Sequence, residues 1–281
     1  MTETSLLRLL SAGSSRRFAE PGVKPNYASS RTVRISHIDL SLVIEPVEHT
    51  FTGQATLHVE PLLLHRGTAT FDLDEVVVDS VVDGAGEPMD FHHANGVLEV
   101  DRVEGPTKIT VAWHGENPTR GLYFTGPKAS VPDRQHMAWT QCQDEDAHYI
   151  FPCFDAPGIK CSYSIRLEAP AGYTLLSNGE QVSATEKQGR AVAYFEQREA
   201  MPAYLFTAVV AKLTTFEAEN SALSIRYLVP EGEEANAMRS FGKTPQMIAA
   251  FSEKTGIDYP WPRYDQVVVH DFIFGGMENT A

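Results

Sequence analysis

From Val33 onward the chain alternates. Apolar residues recur at nearly every second position, at Val33, Ile35, Leu40, Leu42 and Ile44, then at Phe51, Ala55, Leu57 and Val59. A period of two puts such side chains on one face of an extended strand, which fits a half-buried sheet and not a helix of period 3.6. Shorter runs of the same texture cover residues 70–73, 76–82, 96–100, 108–113, 162–167, 191–195 and 203–211. Turn signals such as Asp83-Gly84, Asn95-Gly96 and Glu104-Gly105-Pro106 separate them. Many short strands closed by such turns predict a sandwich or an open, twisted pair of antiparallel sheets.

The first helical signal comes late. After a polar pause over 213–221 and a strand over 223–229, Glu231-Gly232-Glu233-Glu234 supplies acid for a first helical turn. Ala237, Met238 and Phe241 give it a stripe, and Gly242 stops it. Thr244-Pro245 reads as an N-cap with proline at the first helical position, opening a second helix through Met247, Ile248 and Phe251 that Gly256 ends. The expected organisation is a loose arm over 1–30, an all-β domain over 31–216, and a domain of mixed class beginning at about 217. A length of 281 residues suits one large or two ordinary domains.

A net charge of −14 without any Lys/Arg run argues against nucleic acid or an anionic membrane as partner. No stretch approaches the roughly 20 apolar residues that span a bilayer. Leu6-Leu7-Arg8-Leu9-Leu10 is too short and interrupted for a signal-peptide core, so a cytoplasmic protein is expected. Cys142, Cys153 and Cys161 are odd in number and unpaired in spacing, and read as small buried residues rather than a disulfide framework.

Two stretches carry chemistry. The first is Phe272-Ile273-Phe274-Gly275-Gly276-Met277-Glu278-Asn279-Thr280, entered from Val267-Val268-Val269, which has the β-branched density of a buried strand. Two glycines leave the backbone bare for close approach by another chain, and Glu278 follows as an anion. This suits an edge that holds an extended peptide by main-chain hydrogen bonds and fixes one end by charge. It equally suits a Gly-Gly turn with a solvated glutamate. The second stretch runs from Thr140-Gln141-Cys142-Gln143-Asp144-Glu145-Asp146 through Ala147-His148-Tyr149-Ile150 to Phe151-Pro152-Cys153-Phe154-Asp155-Ala156-Pro157. Its mixture of acids, amides, aromatics and prolines reads as a loop lining a site, or as a surface loop closed by proline.

Together the two stretches resemble the M1 family of zinc aminopeptidases. The family's exopeptidase motif, Gly-x-Met-Glu-Asn, matches Gly275 to Asn279. Its segment from Thr-Gln-x-Glu to Phe-Pro-Cys-Phe-Asp-x-Pro matches 140–157, with Gln143 in place of glutamate and His148 in place of a common arginine. The motifs cover residues 120–281; the earlier strands match the family's N-terminal domain by class alone. The resemblance implies a β domain followed by the start of a thermolysin-like α/β catalytic domain. It further implies that Glu278, the one candidate catalytic-site residue, binds the α-ammonium of a peptide with a free N-terminus. Gln141 and Gln143 would share that task, while Gly275, Gly276 and Met277 would hold the peptide backbone and the first side chain.

The family's zinc rests on His-Glu-x-x-His plus a later glutamate. None of the ten histidines is followed by Glu-x-x-His. His92-His93 would point to opposite faces of a strand, and His148 sits in an acidic loop that reads as solvated. The resemblance therefore implies zinc in a longer parent protein, none held by this chain, and no hydrolysis by this chain alone. It also implies a chain cut just before the zinc helix, partnered in the parent by the remaining catalytic and C-terminal domains. Gln143 and the double glycine also occur in bifunctional aminopeptidase/epoxide hydrolases of the leukotriene A4 hydrolase type, one alternative. A metal-free M1-like scaffold that binds peptides without cleaving them is the other.

Overall fold

Strand alternation becomes sheet from Val33 onward. The computed structural model describes residues 31–62, 67–219, 221 and 223–280; the arm expected over 1–30 lies outside them. Among the described residues, strands form four sheets. The largest has seven strands in the order β12 (Glu180–Lys187), β13 (Arg190–Pro202), β10 (Lys160–Pro170), β1 (Val33–Glu45), β2 (Thr50–Pro61), β7 (Thr107–Glu116) and β4 (Val77–Asp83). A small sheet joins β3 (Gly67–Asp72), β6 (Val97–Val103) and β5 (Phe91–Ala94). A third runs β11 (Thr174–Ser177), β14 (Ala208–Ala211), β9 (Met137–Gln141) and β8 (Gly121–Thr125). The fourth runs β15 (Thr214–Glu217), β16 (Ser224–Val229) and β17 (Arg263–Val267). Pairing is antiparallel except for β1 with β10 and β16 with β17.

The expected turn at Asn95-Gly96 is a tight hairpin, with φ of 53° and 76° at its two residues, the left-handed pair that such turns require. The alternating apolar faces of β1 and β2 are buried at Leu40, Leu42 and Leu57. Each such side chain contributes about 1.5–3 kcal/mol on removal from water. The four-stranded sheet differs: β9 and β14 are buried at every position. Ala138 and Val210 face the core beneath the large sheet, whereas Met137, Trp139 and Val209 join Leu228 in a second core toward the fourth sheet.

Several local expectations change. Residues 203–205 form a 3-10 turn after Pro202, so that strand is only β14. The polar pause at 213–221 contains β15, paired to β16. The strand expected at Val267-Val268-Val269 lies earlier, over Arg263–Val267, where it runs parallel to β16.

Helices come where expected, α1 over Glu234–Phe241 and α2 over Thr244–Thr255, the latter closed by Gly256 at φ 69°. Thr244 does not cap; its hydroxyl lies 2.7 Å from Phe241 O and from Gln266 Oε1. The anticipated stripes are largely open, with Met238, Met247 and Phe251 exposed.

Candidate functional site

The 140–157 stretch folds inward. Gln141 ends β9 with 1% of its surface exposed, and the chain turns through 142–146 into a 3-10 turn over Ala147–Tyr149. Residues 151–155 are then buried, Phe151 packing edge-on against Phe206 with ring centroids 5.0 Å apart. Asp72 and Cys153 exchange backbone hydrogen bonds at 2.9 and 3.1 Å, and the Asp155 N–H donates to Asp72 Oδ2 at 2.9 Å. Thus the second half of the stretch is a plug that fixes the loop, not a solvated surface loop. All three cysteines are buried free thiols whose pKa burial pushes up, that of Cys161 to about 11.

His148 belongs to this plug. Its backbone N–H and its Nδ1 both reach Asp155 Oδ2, at 3.0 and 2.9 Å, and the Asp155 side chain is 3% exposed. Burial pulls the imidazole pKa down, but the Asp155 hydrogen bond and charge, with Asp72 and Asp74 behind, outweigh it, and the net shift is upward. A raised folded pKa means that the pair's stabilisation is complete below the ordinary value of 6.5 and is lost as pH rises through the folded value. Denaturant titrations between about pH 6 and 8 should therefore show stability falling in the native protein and a flatter profile in His148→Gln. A parallel fall in both would refute the assignment.

The 268–280 segment crosses over the four-stranded sheet and is tied at both ends. At the near end Asp271 accepts from Lys128 Nζ and Arg134 Nη1, each at 2.7 Å, and these cations hold its pKa below the ordinary carboxylate value. The His270 N–H lies 3.3 Å from Met137 Sδ, and the Phe272 ring centroid is 5.2 Å from that of Trp139. At the far end Asn279 Nδ2 donates to Thr207 Oγ1, and Asn178 Nδ2 donates to Thr280 O.

Between the ties, a Cβ built at Gly275 or Gly276 would meet nothing within 4 Å. Gly275, Gly276, Met277 and Asn279 line a cleft of about 330 Å³ together with Trp139, Thr140 and Thr207. The structure brings Gln141 to this segment, its Nε2 3.7 Å from Met277 Sδ, and leaves Gln141 Oε1 buried without a hydrogen-bond partner. Gln143 and Glu278 are both exposed. His93, in β5, bonds the carbonyl of Leu73 while His92 is exposed. Among the described residues no three His, Cys, Asp or Glu side chains come together as a metal site. Sequence reasoning missed the far tie: Asn178 is signalled only by the turn dipeptide Asn178-Gly179.

This fold and this segment match those of a known family. The Peptidase M1 N-terminal domain model matches residues 34–205 and the Peptidase family M1 domain model matches residues 239–281, so the chain belongs to the M1 peptidase family. It is 35% identical to "Aminopeptidase 2, mitochondrial" of Saccharomyces cerevisiae, over 86% of this chain and 27% of that protein. To aminopeptidase B of Mus musculus it is 29% identical, over 90% of this chain and 42% of that one. It therefore spans well under half the length of these curated relatives. In fold it matches native yeast LTA4 hydrolase with a TM-score of 0.78 at 19% identity, over 93% of this chain and 42% of that one. No helix among the described residues is long and apolar enough to cross a membrane.

Proposed function

We propose that this chain is the substrate-amine-binding portion of a zinc-dependent aminopeptidase that removes N-terminal residues from peptides. The observation that carries the reading is the pairing of Gln141 with the 275–279 segment, beside an open glycine face and a buried, unpartnered Gln141 Oε1. An α-ammonium has donors to satisfy that acceptor, and Glu278 supplies the charge. A charge-assisted bond is about twice as strong as a neutral one. Gln143 accepts as a neutral carbonyl from the loop after β9. Gly275, Gly276 and Met277 offer free main chain and a soft apolar contact to the first residue. We further infer that the β domain gives way to the catalytic domain near residue 217, which falls in the gap between the two family matches. A cytoplasmic location is our inference from three buried free thiols.

Zinc, implied by the family resemblance, does not fit the described residues, which assemble no donor set. In the full-length protein the metal would rest on other residues, and this chain's part is to bind and orient. The test is to compare an aminoacyl anilide with its N-acetyl form on the full-length protein. The free amine should be strongly preferred; equal rates would refute the reading.

A further inference from the structure

The turn Ser177-Asn178-Gly179 after β11 holds a buried junction. Arg263, at the start of β17, donates from Nε to Gly179 O at 2.7 Å and from Nη2 to Ser177 O at 2.5 Å, gripping the carbonyls on either side of Asn178. Asp265 braces that arginine, 2.7 Å from its Nη1, and itself accepts from Arg226 at 2.8 and 2.6 Å. Asn178 is 0% exposed, and both ends of its carboxamide are hydrogen-bonded. Its Oδ1 accepts from the Thr207 N–H at 2.7 Å, and its Nδ2 donates to Leu205 O at 2.9 Å and to Thr280 O. One side chain thus binds the stretch entering β14 to a carbonyl two residues beyond Glu278.

That connection matters because Glu278 makes no hydrogen bond of its own among the described residues and is held through its neighbours. Asn279 donates to Thr207 Oγ1, and Asn178 grips both the Thr207 N–H and the Thr280 carbonyl. The adjoining glycines have the greatest backbone freedom of any residues, and a charged anchor works only when held to within about 0.5 Å of its productive position. The geometry points to Asn178 as a positioning residue of the amine site: its buried carboxamide sets where Glu278 stands while touching no substrate. This rests on the reading of Glu278 as the anchor for peptides with a free α-amine.

In the full-length protein, Asn178→Asp keeps the size and the acceptor for the Thr207 N–H, and sets an oxygen against the Leu205 and Thr280 carbonyls. For a free-amine aminoacyl anilide, kcat/KM should fall at least about fivefold, mostly through KM, with less than about twofold change for the N-acetyl form. Combined with Glu278→Gln, it should add less than about twofold to the loss from Glu278→Gln alone, because the two act as one unit. Losses that multiply, or an equal loss on the acetylated substrate, would make Asn178 a general structural residue and overturn the proposal.

A buried carboxylate can also unfold the protein, so hydrogen exchange on the unmutated protein gives an independent reading. A bound free-amine dipeptide should slow exchange over residues 203–209 by at least about threefold, and its N-acetyl form should not. Equal exchange overturns the proposal. Glu278→Gln by itself separates the two failures. If it leaves the preference for a free amine intact, the amine-site reading falls and the positioning role with it. If it removes that preference while Asn178→Asp does not, only the positioning role falls.

Discussion

Replacing Glu278 with glutamine in the full-length protein is expected to lower kcat/KM on free-amine substrates at least about tenfold, since a hydrogen bond to a charged group is worth about 1.5–3 kcal/mol. The substitution keeps the volume and one acceptor and removes the charge, so the loss reports the electrostatic part alone. Glu278 is exposed and makes no hydrogen bond among the described residues, so folding should be unaffected. An N-acetylated peptide has no ammonium and should lose little further. Steady-state kinetics on the matched pair of substrates decides. Equal losses on both would show that Glu278 acts in some general structural or catalytic way.

The second large effect concerns stability. Gly179 sits at φ +78°, and a Cβ there would lie 2.1 Å from the backbone oxygen of Glu196 and 2.5 Å from its carbon. Those atoms belong to β13, which is paired on both sides, to β12 and β10, and cannot yield cheaply. Left-handed strain costs about 1–2 kcal/mol and forced overpacking typically 1–3, so Gly179→Ala should destabilise by about 2–5 kcal/mol. Gly189 provides the control, with φ +77° and nothing within 4 Å of its Cβ. Gly189→Ala should therefore show the strain alone, about 1–2 kcal/mol. Chemical denaturation of the two variants should separate them clearly; similar losses would mean that the crowding at Glu196 is relieved by a small shift of the turn.

The strands legible in the sequence were those with one wet face. β1, β2, β7 and β10 alternate because the other side of the large sheet faces solvent, and a period of two survives in the residue pattern. β9 and β11 escaped notice because the four-stranded sheet is covered on both sides, which erases alternation. β12 escaped for the opposite reason: an edge strand exposed at nearly every position has no pattern to read. The stripes of α1 and α2 were read from true helical periodicity, yet among the described residues only Ala237 and Thr244 of these helices are buried. Periodicity shows that a face is apolar and does not say what covers it.

The candidate site rests on two motifs, and its supports carry no motif. Gln141 and the 275–279 segment are named by their resemblance to the family's motifs, and the structure brings Gln141 beside Met277. The sequence places His148 in an acidic loop that reads as solvated, whereas its partner is the buried Asp155 seven residues on. Asn178 lies 102 positions from the carbonyl it holds, and Asp271 lies 143 and 137 positions from Lys128 and Arg134. Such pairings arise only when the sheets bring distant segments together.

The amine site is tested most directly by a crystal structure of the full-length protein with a bound free-amine dipeptide. The ammonium nitrogen is expected about 3 Å from a Glu278 carboxylate oxygen and from Gln141 Oε1, with the peptide backbone lying along Gly275 and Gly276. An ammonium bound elsewhere, with Glu278 still solvated and Gln141 Oε1 still unpartnered, would contradict the account.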